Sequence, residues 1–179
     1  MEERFDVIEC SGVLHHMADP MAGWQVLRGL LKPGGLMRVA LYSDIARARF
    51  AKLQAEIDVE DAQAISGEIR CRRNAILKLP EDDPAAIVWQ TGDFYSLSGC
   101  RDLLYHRREV RYGWPEIGEA LRELDLKLVG VETATAALKV FYRERFPDDP
   151  AAVNPSNWDV IEREYPDSFL AMYQFWCQA

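Results

Sequence analysis

The chain has 179 residues, of which 49% are hydrophobic, so it fits one packed domain of ordinary size or one domain with a modest insertion. Its formal net charge of −8 would repel a phosphate backbone, which argues against non-specific nucleic-acid binding. Its apolar runs are shorter than the roughly 20 residues that cross a bilayer. The four cysteines are far apart and no secretory signal is evident, so we expect reduced thiols in a soluble, cytoplasmic protein with no membrane partner.

The first part of the chain predicts a βαβ unit. Residues 5–10 are typical of a short strand buried on both faces of a parallel sheet. Asp19 is a favourable N-cap for a helix over residues 20–32, which begins with a proline. The Pro-Gly-Gly sequence at residues 33–35 ends this helix, and residues 36–42 form the second strand. The two strands should be parallel neighbours joined by a right-handed crossover.

Residues 44–106 predict a helical insertion over the carboxyl edge of the sheet. Residues 44–80 have charged and apolar positions at helical spacing, and Ile57 and Ile65 are among the apolar ones. An acidic, proline-containing connection leads to a helical stretch at residues 85–89. Ser98 is then predicted to cap a further helix.

Six arginines are the only candidates for a local basic patch. At helical spacing such charges are more typical of a solvated face than of a nucleic-acid site. These residues are Arg70, Arg72, Arg73, Arg107, Arg108 and Arg111.

The sheet pattern returns in the last third of the chain. A short amphipathic helix is predicted over residues 115–124, followed by a third strand over residues 126–132. A helical segment surrounds residues 138–142, and a capped helix covers residues 157–165. Residues 169–177 are rich in aromatic side chains and predict a final strand.

One combination of motifs in the first 35 residues is specific. FDVI stands at residues 5–8, VLHH at 13–16, DP at 19–20 and LLKPGG at 30–35. In this order they resemble the fourth strand, the next helix and the fifth strand of class I S-adenosylmethionine-dependent methyltransferases. The resemblance implies a Rossmann-like α/β sheet, of which this chain would hold the C-terminal half, the fourth to seventh strands, with a helical insertion. In that family the last strand inserts antiparallel between the fifth and the sixth.

The resemblance also implies a division of the chain. Residues 1–43 and 107–179 would form a partial methyltransferase domain, and residues 44–106 would be a family-specific substrate cap. Residues 93–96 and 172–176 are similar to methyltransferase domains fused behind tetratricopeptide repeats.

The cofactor implied by the resemblance is S-adenosylmethionine. In open α/β sheets ligands bind outside the carboxyl ends of the strands, which here is the exit of the first strand. The residues implied to line the cofactor are Cys10, Ser11, Gly12, Val13 and His15. Cys10 lacks an evident base and is interpreted as a packing residue, not a nucleophile.

A departure from the family pattern concerns the glycine-rich loop that normally holds the cofactor. The sequence contains no Gly-x-Gly-x-Gly, and only four residues precede the first predicted strand. We therefore expect a fragment of a longer chain or a truncated gene product. Cofactor binding by these residues alone should be weak or absent.

Two histidines and two tyrosines are the catalytic candidates: His15, His16, Tyr42 and Tyr95. An imidazole is a suitable general base near neutral pH. The alternative is that one histidine packs beside the cofactor and the other bonds to the backbone, because methyl transfer depends mainly on alignment. A buried tyrosine with a hydrogen-bonded hydroxyl is the alternative for each tyrosine. Adjacent side chains on an extended segment point to opposite faces, so no metal site is predicted.

The sequence thus predicts transfer of a methyl group to an unknown acceptor, either a small molecule or a protein. The acidic balance weighs against RNA. The alternative is a non-catalytic module that oligomerises, because the edge of the first strand would be exposed and would recruit another strand. A homodimer through that edge is the corresponding partner prediction.

Overall fold

The computed structural model describes residues 4–55, 66–105 and 109–179. Within them four strands form one mixed sheet in the order β1-β2-β4-β3. β1 and β2 are parallel, and β4 runs antiparallel to both β2 and β3. The predicted α/β class is confirmed, and so is the insertion of the last strand between its two neighbours. The strands are β1 Phe5–Ser11, β2 Leu31–Leu41, β3 Lys127–Glu132 and β4 Tyr173–Gln178.

The helix between the first two strands begins as predicted but ends earlier. Helix α1 covers Pro20–Leu30, and the side chain of Asp19 accepts a hydrogen bond of 2.9 Å from the backbone nitrogen of Ala22. Lys32, predicted in its last turn, lies in β2 instead, because Leu31 already pairs with Phe5 across the sheet. The Pro-Gly-Gly segment therefore lies within β2, where the register of its pairing with β1 shifts, and Gly34 has a φ of +76° there.

β1 differs from the prediction that it is buried on both faces. Phe5 and Val7 are 43% and 55% exposed, and Cys10 is the buried residue of this strand. The physical reason is that β1 lies at the edge of the sheet and pairs with β2 alone among the described strands. The prediction of a fully buried strand was wrong for this chain, whereas the exposed edge was expected.

One face of the sheet packs against helices and forms the main hydrophobic cluster, here called the sheet cluster. At its centre the ring of Trp114 lies 4.8 Å from that of Tyr173 and 6.1 Å from that of Trp158, measured between ring centroids. The helices around it are α6 Trp114–Glu123, α7 Ala136–Arg145 and α8 Pro155–Glu164. Further buried members of the cluster are Trp24, Val39, Leu41, Phe169 and Phe175.

The opposite face of the sheet carries polar side chains linked across the strands. The guanidinium of Arg38 on β2 donates to Glu9 on β1 at 2.6 Å and to Glu132 on β3 at 2.7–2.8 Å. It also donates to Gln174 on β4. These bonds connect all four described strands, and the hydrogen bonds and charge of Arg38 hold the pKa of Glu132 at about 2.

The predicted insertion, residues 44–106, contains short helices joined by turns where it is described, and residues 44–80 are not one continuous helix. Ser43 caps the first short helix, since its hydroxyl accepts a hydrogen bond of 3.0 Å from the backbone nitrogen of Ala46. The α-helices are α2 Asp44–Ala48, α3 Ala51–Ala55, α4 Ser66–Ile76 and α5 Leu97–Tyr105. Two 3-10 helices, Pro84–Gln90 and Gly92–Tyr95, lie between α4 and α5. Ile57, Ile65, Arg107 and Arg108 lie outside the described residues.

A second hydrophobic cluster, here called the insertion cluster, fills this region. Its buried members include Phe50, Ile69, Phe94, Cys100 and Leu104. Helix α5 begins at Leu97, two residues earlier than a cap at Ser98 predicts, because the cap is Ser96: its hydroxyl accepts a hydrogen bond of 2.9 Å from the backbone nitrogen of Gly99.

The later elements match the predicted order, with one change at the end. The final strand begins at Tyr173 rather than at residue 169. Phe169 is buried in the sheet cluster, but it lies in a turn where Ser168 donates its backbone N–H to the carbonyl of Tyr165. Its aromatic character therefore reports packing and not strand pairing. Among the described helices, none is long and apolar enough to cross a membrane.

Candidate functional site at the carboxyl ends of β1 and β2

The parallel pairing of β1 and β2 brings their carboxyl ends to the same edge of the sheet. After β1 the chain turns at Gly12, whose φ of +70° favours glycine. A 3-10 helix, Leu14–His16, follows directly. After β2, Tyr42 and Ser43 connect the strand to helix α2. The edge thus presents two strand exits side by side.

Three of the five residues predicted to line the cofactor, Ser11, Gly12 and Val13, are exposed or half-buried at the first of these exits. Ser11 and Val13 are exposed, Val13 to 53%. A Cβ atom added to Gly12 would meet no described atom within 4 Å. Cys10 is buried, and burial raises the pKa of its thiol, which fits a packing role. Exposed backbone beside an exposed apolar side chain suits one side of an adenosine-type ligand.

Three of the predicted site side chains come together in a stack. The ring of His15 lies 4.0 Å from the ring of Tyr42 with an interplanar angle of 29°. The ring of His16 meets His15 edge-on at 4.4 Å and Tyr42 at 5.8 Å. His15 is fully buried, whereas His16 is half-buried. Of the two imidazoles, His16 is thus the one nearer to solvent.

Tyr95 is not part of this stack. It ends the second 3-10 helix of the insertion, is 62% exposed, and its ring contacts that of Phe94 edge-on at 5.6 Å. Its carbonyl accepts a hydrogen bond of 3.1 Å from Arg73. The exposed position of Tyr95 leaves its side chain available at the surface of the insertion.

A buried ion pair beside Tyr42 was not predicted from the sequence. The guanidinium carbon of Arg47 lies 4.3 Å from the centroid of the Tyr42 ring, and Arg47 forms a bidentate pair with Glu109. Arg111 adds a hydrogen bond of 2.9 Å to the same carboxylate. Burial opposes the ionisation of Glu109, but its bonds to the two arginines outweigh burial and hold the pKa of Glu109 below its ordinary value. Burial raises the pKa of Tyr42, and the charge of Arg47 opposes that rise.

A second buried carboxylate lies beside the exit of β2. Glu162 on α8 is fully buried and accepts hydrogen bonds from the hydroxyls of Ser43, at 2.5 Å, and Tyr173. Burial raises the pKa of Glu162, although both hydroxyls favour its ionised form. Burial and the neighbouring Glu162 also raise the pKa of Tyr173. Glu162 thereby joins helix α8, strand β4 and the start of the insertion.

No local signal in the sequence distinguishes Arg47, Glu109 or Glu162 from the other charged residues. Arg47 stands in a charged helical stretch and is separated from Glu109 by 62 positions. Each of these charged side chains is buried against a partner that is distant in the sequence, so its burial becomes evident only in the folded chain.

A cavity of about 310 Å³ opens farther along the same edge, at the carboxyl end of β3. It is lined by Glu132, Thr133, Gln174, Gln90 of the insertion and the segment 167–172. Within the described part of the chain, no three His, Cys, Asp or Glu side chains are grouped to hold a metal ion.

The chain is similar to known proteins in one segment of its sequence and in its fold. Residues 1–39, which contain β1, α1 and most of β2, match the family described as methyltransferase domain. The structure of PKMT2 from Rickettsia typhi superimposes with a TM-score of 0.67 at 12% identity, covering 98% of this chain and 36% of that one. The structure of PKMT2 in complex with AdoHcy gives 0.60 at 14% identity, covering 99% and 36%.

A curated relative is similar in sequence over a longer stretch. The uncharacterized protein syc1184_c of Synechococcus sp. (strain ATCC 27144 / PCC 6301 / SAUG 1402/1) is 32% identical over 119 residues. That alignment covers 60% of this chain and 27% of the relative, so the chain spans only a minor part of the proteins that it matches.

The predicted resemblance to methyltransferases is confirmed for the first part of the chain. The chain has a Rossmann-like α/β fold, and its first 39 residues match a methyltransferase domain.

Proposed function

We propose that this chain is part of a methyltransferase that uses S-adenosylmethionine and methylates a small molecule or a protein. The observation that carries this proposal is the open exit of β1, in the segment that matches the methyltransferase domain. When bound, S-adenosylmethionine supplies a sulfonium-activated methyl group. The chain spans 27–36% of the relatives and solved chains that it matches, so the remaining contacts to the cofactor are assigned to other residues.

The cofactor side of the site is assigned to residues 10–13. Gly12 allows the backbone to approach a ligand closely, and exposed Val13 offers apolar contact to a ring. His15 stays a predicted cofactor contact. Since it is fully buried under Tyr42, its influence on the cofactor would pass through the position of the 3-10 helix that carries it.

The acceptor side is assigned to the stack of His15, His16 and Tyr42. Holding nucleophile and methyl group in line accounts for most of the rate in such a transfer, and rigid stacked rings serve that purpose. His16 is the proposed general base where the acceptor must lose a proton, since it is the less buried imidazole. Tyr95 stays a candidate acceptor contact on the surface of the insertion.

We further propose that residues 44–106 act as a substrate cap on the domain formed by residues 1–43 and 107–179. The separate insertion cluster supports this division, because the described helices between residues 44 and 105 bury their apolar side chains largely against each other. The similarity to methyltransferases fused to tetratricopeptide repeats stays a prediction.

Calorimetric titration of the chain with S-adenosylhomocysteine, the product form of the cofactor, tests the site. Gly12→Ala is the informative variant and Gly34→Ala is its matched control. The φ angle is +70° at Gly12 and +76° at Gly34, and an added Cβ meets no described atom within 4 Å at either position. The backbone strain is thus comparable, but Gly34 lies at the opposite end of the sheet.

We expect Gly12→Ala to weaken binding by about tenfold, or 1.4 kcal/mol, and Gly34→Ala to leave it unchanged. Equal losses in both variants would show that strain and not ligand contact is responsible. Absence of binding by the folded wild-type chain would assign the activity solely to a longer protein.

A second candidate function is self-association through β1. One edge of this strand has no partner among the described strands, and Phe5 and Val7 are exposed beside it. Such an edge recruits another strand. Sedimentation at tens of micromolar, a rough range for weak association, should show a dimer that Val7→Lys disrupts. Val26→Lys, at a 64% exposed position on α1, is the control; a monomeric wild type would overturn this candidate.

A further inference from the structure

Arg47 is the described residue through which the insertion touches the candidate site most directly. It is 1% exposed and lies on α2, the first helix of the insertion. Its guanidinium faces the Tyr42 ring on one side, while the His15 ring also stacks on Tyr42 at 4.0 Å. A cation placed over an aromatic ring at this distance is attracted to it, and the attraction grows when both are removed from water.

The same guanidinium holds two other segments. One terminal nitrogen of Arg47 donates to the carbonyl of Leu103 on α5 at 2.9 Å, and the pair with Glu109 reaches the segment that returns to the sheet. That segment is bound to the strand exits through its backbone. Val110 donates its N–H to the carbonyl of His15 at 2.8 Å, and Tyr112 donates its N–H to the carbonyl of Tyr42 at 3.0 Å.

The chemistry of this arrangement depends on a planar, always charged group. A guanidinium makes a bidentate bond to a carboxylate and stacks on a ring at the same time, which an ammonium group cannot do. The Nη1 atom of Arg47 has no hydrogen-bond partner among the described residues, and the guanidinium carbon lies 4.3 Å from the centroid of the Tyr42 ring and 5.4 Å from that of the Phe50 ring. Burying such a charge is costly unless its partners stay in place.

We propose that Arg47 is a positioning residue for the acceptor side of the site. By holding the Tyr42 ring against His15 and tying it to α5 and Glu109, it sets the stack and the insertion in one fixed relation. This inference rests on the proposed function for its catalytic meaning, because Tyr42, His15 and His16 are the proposed acceptor contacts. The geometric part of it can be tested without any cofactor.

The test uses the full chain with Arg47→Met, Arg47→Lys and Glu109→Gln. Methionine keeps most of the side-chain length of Arg47 but removes its charge. Lysine keeps the charge but lacks the planar guanidinium with its paired N–H donors, and glutamine keeps the shape of Glu109 without its charge. Arg49→Met is the matched control, since Arg49 follows α2 directly and pairs with Asp167, away from Tyr42. NMR of the histidine ring protons reports the stack, because a ring stacked on Tyr42 is shifted upfield. Near-ultraviolet circular dichroism verifies that each variant is folded.

We expect Arg47→Met to remove the upfield shift of His15 and to speed hydrogen exchange in α5 by about tenfold, as expected for locally opened structure. Arg47→Lys should retain part of the shift, Glu109→Gln should reduce it, and Arg49→Met should leave it unchanged. A folded Arg47→Met with an unaltered His15 shift would overturn the inference. If that variant does not fold, an unaltered shift in folded Glu109→Gln overturns it instead.

The outcome for the proposed function is separate. Among the described residues, the side-chain hydrogen bonds of Arg47 go to Leu103 and Glu109, and residues 10–13 receive none of them. S-adenosylhomocysteine binding by Arg47→Lys should therefore equal that of the wild type. Failure of the wild type to bind would assign cofactor binding solely to a longer protein and leave the NMR result intact. Loss of binding in Arg47→Lys with an unaltered His15 shift would contradict the positioning role.

Discussion

The two hydrophobic clusters of this chain are built in different ways. The sheet cluster is dominated by large rings, with Trp24, Trp114, Trp158 and Phe175 all fully buried. The insertion cluster is made mostly of aliphatic side chains on short helices, with Phe50 and Phe94 as its fully buried rings. Large rings shared between strands and helices hold the strand exits rigidly, whereas short helices depend on tertiary contacts for their stability.

Ion pairs and a hydrogen bond connect the two regions at the edge of the sheet where the candidate site lies. Arg47 with Glu109 and Ser43 with Glu162 are buried, while Arg49 with Asp167 is partly exposed. The sheet thus supplies a fixed platform of strand ends, and the insertion is positioned on it by a few charged or hydrogen-bonded pairs. Substitutions in the two regions should differ accordingly in size and in dependence on pH.

The largest effect is expected for Trp114→Ala in the sheet cluster. Trp114 is fully buried and contacts Trp158, Phe169 and Tyr173. Its removal should lower the free energy of unfolding by about 3–5 kcal/mol, measured by urea denaturation. Trp89→Ala, at a half-buried position beside the insertion cluster, is the matched control and should cost clearly less. Equal costs would show that the two clusters are equally strong.

A pH-dependent effect is expected at Glu162, which joins the two regions. Its pKa in the folded chain is raised above the ordinary value of 4.5, so its protonated form favours folding. This stabilisation is fully present below pH 4.5 and is lost as the pH rises through the pKa of Glu162 in the folded chain. Its size is about 1.4 kcal/mol for each unit by which the folded pKa exceeds 4.5.

Glu162→Gln should abolish that slope, as followed by thermal unfolding at a series of pH values. Glu164→Gln, on the same helix but paired with Arg145 at the surface, should leave the slope intact. A slope that persists in Glu162→Gln would assign it to another group.

A smaller effect with the opposite pH sign is expected at the polar face of the sheet. Glu132 has a pKa of about 2, below the ordinary 4.5, so its contribution is present above pH 4.5 and is lost as the pH falls towards 2. Its side chain is 39% exposed, and solvent screening limits the contribution to about 1 kcal/mol.

Arg38→Met should raise the pKa of Glu132 towards 4.5, measured by NMR titration of the carboxyl carbons. Lys32→Met, which removes a more exposed pair with Asp6, is the control. An unchanged Glu132 pKa would mean that the bonds of Arg38 across the strands are not maintained in solution.

The smallest effect is expected for Arg49→Ala. The side chains of its pair with Asp167 are 33% and 55% exposed, and such pairs contribute about 0–1 kcal/mol. The change in unfolding free energy should shrink further in high salt. A loss as large as that of Glu109→Gln would show that this surface pair, and not the buried one, holds the insertion.

Features set by neighbouring residues were predictable. Asp19 before Pro20 located the start of α1, and the strand predicted over residues 126–132 is found as β3. The same local reasoning failed where a neighbour in space decides the outcome. Leu31 leaves the helix because it pairs with Phe5, and β1 is exposed because it lies at the edge.

The sequence by itself determined the class of fold, the βαβ unit at its start and the strand exit at which the candidate cofactor residues 10–13 lie. It could do so because caps, turns and hydrophobic periodicity act within a few residues. Only the tertiary structure showed which charges are buried and what they hold. Ser43 and Glu162 are 119 positions apart, and Arg38 and Gln174 are 136 apart. Burial and pairing over such separations are properties of the packed chain, since each charge becomes costly or useful only when its partner displaces water.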